Sequence, residues 1–178
     1  MSLSNKKRFV RSSIFMSAIV LTVILVAGSV FAADFKAKNG ISFKYPAGWT
    51  PTETQQDTIT SISVTNPSQP TIVITVAVSE GSVTEEWTFP TEEKMKESLA
   101  ASGQDIKLIT HKKIKVAGND AALSEFSSEA NGMYIQTRSV TFADGANLVA
   151  VTSVFMDKNV VAAGQKVAEG IENSLSLK

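Results

Sequence analysis

Residues 106–156 read IKLITHKKIKVAGNDAALSEFSSEANGMYIQTRSVTFADGANLVAVTSVFM. Three turn-forming pairs, Gly118-Asn119, Asn131-Gly132 and Asp144-Gly145, cut this stretch into four runs rich in strand formers. Asn, Asp and Gly tolerate the positive φ of tight hairpin turns, so this spacing predicts an antiparallel ladder of four strands. The last run is apolar on both faces: Leu148, Ala150 and Val154 alternate with Val149, Val151 and Phe155. Such a strand belongs in the middle of a sheet, covered on both sides.

On the N-terminal side the same pattern continues. TIVITVAVS (71–79) places Ile72, Ile74, Val76 and Val78 on one face and Val73, Thr75 and Ala77 on the other, which makes it a second central strand. TITSISVT (58–65) sets Ile59, Ser61 and Ser63 against Thr60, Ile62 and Val64, and Asn66-Pro67 and Gln69-Pro70 break it. Asn39-Gly40 sits between FKAK and ISFKYP as a hairpin turn, and Pro46-Ala47-Gly48 ends that strand. Trp49 follows at once and should pin the turn to the core.

Two segments have a helical pattern. Thr91 is a good N-cap for TEEKMKESLAASG, Glu92 and Glu93 suit the positive end of the helix dipole, and Gly103 suits its stop. This predicts a helix over 91–102, with Met95 and Leu99 as a short buried stripe. In the last 22 residues, from Asp157, apolar side chains recur at steps of three and four through Val160, Val161, Gly164, Val167, Ala168, Ile171 and Leu175. That is an amphipathic helix with Asp157 as N-cap. Gly164 and Gly170 weaken it in isolation, so docking on the sheet must hold it. The predicted fold is α+β: a central antiparallel sheet of about five to seven strands with helices packed on both faces, an αβα sandwich.

The segment NGISFKYPAGWT (39–50), with its hairpin glycine, alternating apolar residues and Tyr-Pro-x-Gly-Trp, resembles the PsbP-like fold family. The order of elements and Gly118 after the strand that follows the first helix agree with it. The resemblance covers about 35–176. It implies a central antiparallel sheet between helices and a role as a non-enzymatic binding or accessory module. It carries no functional residue over to this chain.

The chain has 178 residues, 43% hydrophobic and 19% charged, with no cysteine and one histidine. The lack of Cys excludes disulfides, Cys-ligated zinc, iron–sulfur clusters and thiol catalysis. A single histidine excludes a poly-His metal site. The formal net charge of zero gives no case for nucleic-acid binding. The N-terminal segment has the anatomy of a secretory signal peptide. Lys6, Lys7, Arg8 and Arg11 form a basic region, Ile14 to Val26 is apolar, and Val30-Phe31-Ala32 presents small or modest side chains at the cleavage positions. Cleavage is expected between Ala32 and Ala33, giving residues 1–32 as signal peptide and 33–178 as one domain. The competing reading is an uncleaved anchor, since Ile14 to Ala33 is free of charge and long enough to span a bilayer. Loss of 1–32 removes four of 17 basic residues and none of the 17 acidic ones, which leaves a formal net charge of −4.

Candidate chemistry is sparse. His111 is flanked by Lys112, Lys113 and Lys115; it could serve a small envelope hydrolase with a serine and an acid, yet no nucleophile motif accompanies it, and a surface-strand histidine is the simpler reading. The lysines fit an edge strand that blocks sheet-to-sheet pairing. Glu80, Glu85, Glu86, Glu92 and Glu93 could form a weak cation or partner surface, although the dipole alone accounts for the last two. Trp87 and Phe89, with Glu85 and Glu86 in the same loop, are the candidates for an exposed anchor to a protein partner. No dinucleotide, P-loop, HExxH or GxSxG motif is present. The expectation is an exported, non-enzymatic binding or accessory protein of the cell envelope, without metal or cofactor. A photosystem II-associated PsbP homologue and the His111 hydrolase are the alternatives.

Overall fold

A computed structural model describes residues 31–83, 88–101, 105–130 and 132–177. Of the segment expected to be a signal peptide, the part up to Val30 lies outside them. Phe31–Lys178 forms one compact unit.

Among the described residues nine strands and two helices follow in chain order. β1 (Phe31–Lys36) and β2 (Ser42–Pro46) form a separate antiparallel hairpin. β3 (Thr50–Gln56), β4 (Ile59–Thr65) and β5 (Ile72–Ser79) lead to helix α1 (Glu92–Ala101). The meander β6 (Ile106–Val116), β7 (Asn119–Ala130), β8 (Met133–Asp144) and β9 (Asn147–Phe155) ends in a 3-10 turn, Lys158–Val160, and helix α2 (Val161–Ser174). The main sheet has seven antiparallel strands in the order β3-β4-β5-β9-β8-β7-β6. The two doubly apolar strands, β5 and β9, are neighbours at its centre, from Ile72↔Phe155 to Ser79↔Leu148. Expected cleavage after Ala32 falls inside β1 and leaves Ala33 to Lys36 paired with β2.

Strand β3 is not anticipated by the sequence pattern. TPTETQQ has no apolar alternation, and its pairing with β4 is supplied by the sheet, not by its own propensity. The first hairpin of the meander also steps by one residue. Its turn is Ala117-Gly118, with φ of +50° and +83°, and Asn119 already pairs with Val116. Both central residues at positive φ are what a type I′ turn requires.

The core lies on one face of the sheet. Ile62, Val64, Ile74, Val76, Val149 and Val151 are fully buried there, beneath α2 and the β1–β2 hairpin. Helix α2 buries Gly164, Val167, Ala168 and Ile171, the stripe read from its sequence. Burial of Val167 and Ile171 contributes about 1.5–3 kcal/mol each. Asp157 caps the preceding 3-10 turn, its carboxylate accepting from the Asn159 amide at 2.8 Å. The helix and hairpin are joined directly: the Lys44 amide donates to Ser174 Oγ at 2.9 Å, and Ser42 exchanges backbone hydrogen bonds with Ser176. Trp49, immediately after the turn, is buried in the same core.

One cluster in this interior has no apolar signature. Arg138 of β8 is 5% exposed and Glu172 of α2 is 3% exposed. The guanidinium donates from Nε and Nη2 to the two Glu172 oxygens at 3.2 and 2.8 Å, and from Nη1 to Glu125 Oε1 at 3.0 Å. Gln165 Nε2 donates to the same Glu125 oxygen at 3.1 Å. Two carboxylates therefore share one guanidinium under the helix. Burial works against the Arg138 charge, and the bonds to Glu172 and Glu125 outweigh it, so its pKa stands above the usual value. Burial pushes the Glu172 carboxyl up, against the pull of Arg138.

The α+β class and the antiparallel sheet agree with the sequence; a helical layer over each face does not appear among the described residues. Helix α1 meets the sheet through the edge strand β6 and has no buried residue. Met95 and Leu99 are only half-buried, so the short stripe expected to bury them does not do so. The physical reason is position: a helix standing over the outermost strand has sheet beneath only part of its face. The expected N-cap is present, with the Lys94 amide donating to Thr91 Oγ1 at 3.3 Å.

Candidate binding surface

The face of the sheet opposite the core is defined by register, because residues directly paired across antiparallel strands point the same way. Across its middle run Thr52, Ser63, Thr75, Thr152, Ser139 and Ser124, a row of hydroxyls spanning β3 to β7. On one side of it lie Thr65, Val73, Val154 and Thr137. On the other lie Ser61, Ala77, Ala150 and Thr141. No Asp, Glu, Lys or Arg stands on this face in β3, β4, β5, β9 or β8. Charge begins only beyond them, with Asp120 at the start of β7 and Lys113 and Lys115 of β6, which pair with its carboxylate at 2.8 and 2.6 Å. Those lysine ammoniums hold the Asp120 carboxyl below its ordinary value.

His111 marks the β6 border. The β6–β7 register shifts between Leu108 and Thr110, where Ile109 is an extra, exposed residue. A bulge of this kind slips the alternation by one. Leu108 and His111, three apart, therefore both face the hydroxyl side, opposite Phe126 and Ser124. His111 Nε2 lies 2.7 Å from the Pro90 carbonyl and Nδ1 lies 2.8 Å from Ser124 Oγ. A carbonyl only accepts, so Nε2–H donates to it and Nδ1 accepts the Ser124 hydroxyl proton. The Phe89 ring stacks on the imidazole, with centroids 4.8 Å apart.

The structure thus brings a serine to the histidine, as the hydrolase alternative requires. The third member is a backbone carbonyl where a triad has an acid, and Ser124 is 4% exposed, closed to a substrate carbonyl. What the arrangement does is fasten the chain entering α1 to the sheet. His111→Ala removes a partner from both Ser124 and Pro90 and should cost about 1–2 kcal/mol. Hydrogen exchange should accelerate at 89–101 and stay unchanged in β5 and β9; equal acceleration everywhere would refute a local clasp.

The remaining sequence candidates are placed as follows. Phe89 is half-buried over His111. Glu85, Glu86 and Trp87 lie outside the described residues. Glu92 pairs with Lys96 at 2.6 Å, which holds its carboxyl below the ordinary value, and Glu80 and Glu93 are exposed. Among the described residues no group of three His, Asp or Glu side chains could hold a metal ion. Lys112, Lys113 and Lys115 do stand on an edge strand. Sequence reasoning missed the hydroxyl face. Its signal was present in the period-two Ser and Thr of 59–65 and 137–141, but only the register joins these short patterns into one surface.

No protein-family model matches the sequence, and no curated protein matches it. Solved structures do. The chain is similar to cyanobacterial PsbP from Synechocystis sp. PCC 6803, with 12% identity and a TM-score of 0.62 over 85% of this chain and 96% of that one. It is similar to LpqN of Mycobacterium tuberculosis, a protein involved in cell envelope biogenesis, with 11% identity and a TM-score of 0.55 over 82% of this chain and 90% of that one. It is also similar to the Saccharomyces cerevisiae Ran-binding protein Mog1p, with 10% identity and a TM-score of 0.54 over 82% and 94% of the two chains. At these identities the likeness is one of fold.

Proposed function

This chain has the PsbP-like fold, and on that basis we propose that it is an exported, non-enzymatic accessory protein of the cell envelope that presents its open sheet face to a protein partner. The observation that carries the reading is the absence of charge from β3 to β8 on that face. Solvent-facing sheet surfaces ordinarily alternate apolar-in with polar and charged-out residues. Interface cores are depleted of charge, because each buried charge must be desolvated. The signal-like N-terminus supports export, and the fold likeness to an envelope-biogenesis protein agrees with that location. The loop residues Glu85, Glu86 and Trp87 are proposed as a second contact.

The test is chemical crosslinking in the native envelope followed by capture of the tagged protein. Thr152→Arg places a guanidinium at the centre of the face and should abolish the crosslinked species. Loss with Trp87→Ala but not with Thr152→Arg would move the site to the loop. Crosslinks unchanged in both variants would overturn the reading.

A further inference from the structure

The hydroxyl face is chemically symmetric about the seam between β5 and β9. Starting from the seam, Val73 is matched by Val154, Thr75 by Thr152 and Ala77 by Ala150. One strand further out, Thr65 is matched by Thr137, Ser63 by Ser139 and Ser61 by Thr141. Three strands lie on either side of the seam, β3-β4-β5 and β9-β8-β7, and β6 is the odd one.

We infer that the partner seated on this face is a second copy of the same chain, packed sheet to sheet about a two-fold axis that runs along the seam, parallel to the strands. This rests on the reading of the face as a protein-binding surface and names its occupant. Rotation about such an axis keeps each row in place and exchanges the two sides. Val73 then faces Val154 of the other copy, Thr75 faces Thr152, Ala77 faces Ala150, and Ser63 faces Ser139. Over these three rows apolar side chains meet apolar ones and hydroxyls meet hydroxyls, the self-complementarity that an isologous interface demands, while the next pair, Ser79 and Leu148, is unlike. Because the face is uncharged, no like charges are brought together by the symmetry. The five uncharged strands β3, β4, β5, β9 and β8, about 4.8 Å apart with four outward side chains each about 6.8 Å apart, make a patch of roughly 600–700 Å² per copy, near the lower end for a stable complex. The small side chains let the two layers approach to the usual separation of about 10 Å.

The geometry also accommodates α1 and the Phe89–His111 clasp. Both rise over β6, the strand with no counterpart across the seam. Under the two-fold operation the opposed position lies beyond the partner's β3, so these groups meet the edge of its sheet and not its centre.

Sedimentation velocity over a concentration series of Phe31–Lys178 tests the proposal. Wild type should sediment as a monomer–dimer equilibrium. Thr152→Arg or Thr75→Glu alone should weaken the dimer roughly a hundredfold, since each buries an unpaired charge. Mixing the two variants should restore dimerisation, because the guanidinium introduced by Thr152→Arg in one copy then faces the carboxylate introduced by Thr75→Glu in the other; failure of the mixture to do so would overturn the arrangement. A monomer at every concentration, or a dimer indifferent to both substitutions, would also overturn it. If the domain is monomeric while envelope crosslinks are still lost with Thr152→Arg, the binding face stands and only its occupant is wrong. If those crosslinks persist, both fall. Thermal unfolding of each variant checks that the fold is kept, and Ser139→Lys replaces any variant that fails to fold.

Discussion

Replacing Arg138 by methionine is expected to destabilise the domain by about 3–5 kcal/mol, because the guanidinium is the only cation bonded to two enclosed carboxylates in this cluster. Methionine restores much of the volume but no donor. Glu172, whose carboxyl burial already pushes up, would be left unpaired under α2. The loss should depend on pH in a defined direction. In the variant the folded-state pKa of Glu172, already raised by burial, loses the opposing pull of Arg138 and rises further above its unfolded value. A carboxyl with a raised folded pKa contributes most below its unfolded pKa, and that contribution is lost as pH rises through the folded value. The deficit is therefore largest at neutral and alkaline pH and shrinks as pH falls toward the ordinary carboxylate range. Urea unfolding of wild type and Arg138→Met at a neutral and a mildly acidic pH measures this, and a deficit that grows on acidification would contradict it. The double replacement Arg138→Met with Glu172→Leu should recover part of the loss, since it removes one of the two stranded carboxylates while Glu125 keeps the bond from Gln165.

The second large effect concerns the contact between α2 and β9. A Cβ on Gly164 would lie 2.6 Å from Phe155 Cδ1, and Cε1 is closer still. Gly164→Ala gains up to about 1 kcal/mol of helix propensity and loses more to overpacking, for a net cost of about 1–3 kcal/mol. Phe155→Ala empties a fully buried site and should cost about 3–5 kcal/mol. In the Phe155→Ala background the methyl of Gly164→Ala meets a cavity where the ring had been, so the same change should become neutral or stabilising. A double-mutant cycle by chemical denaturation reads this change of sign. Additive effects would mean that the helix shifts along the strand and does not press on the ring.

Much of this architecture was legible in the residues. The four runs of 106–156 became β6 to β9, and the doubly apolar strands read at 71–79 and 146–156 took the centre of the sheet side by side as β5 and β9. These predictions succeed because period-two burial and turn chemistry are local properties. The stripe of α2 was legible for the same reason. Strand β3 was not, since it is made by its neighbour's free edge and carries no pattern of its own. The Ser124–His111–Pro90 clasp was out of reach as well: a bulge at Ile109 resets which residues share a face, and nothing in IKLITH announces it.

The α+β class, the strand order within the meander and the apolar faces that make the core were written into the chain, because alternation, helical periodicity and turn-forming pairs act over a few residues. The meeting of Arg138, Glu125 and Glu172 beneath α2 came only with folding, and so did the joining of short Ser and Thr runs from separate strands into one uncharged surface. Those features depend on register between segments far apart in the chain, and register is fixed by the packing of the whole sheet, not by the residues that display it.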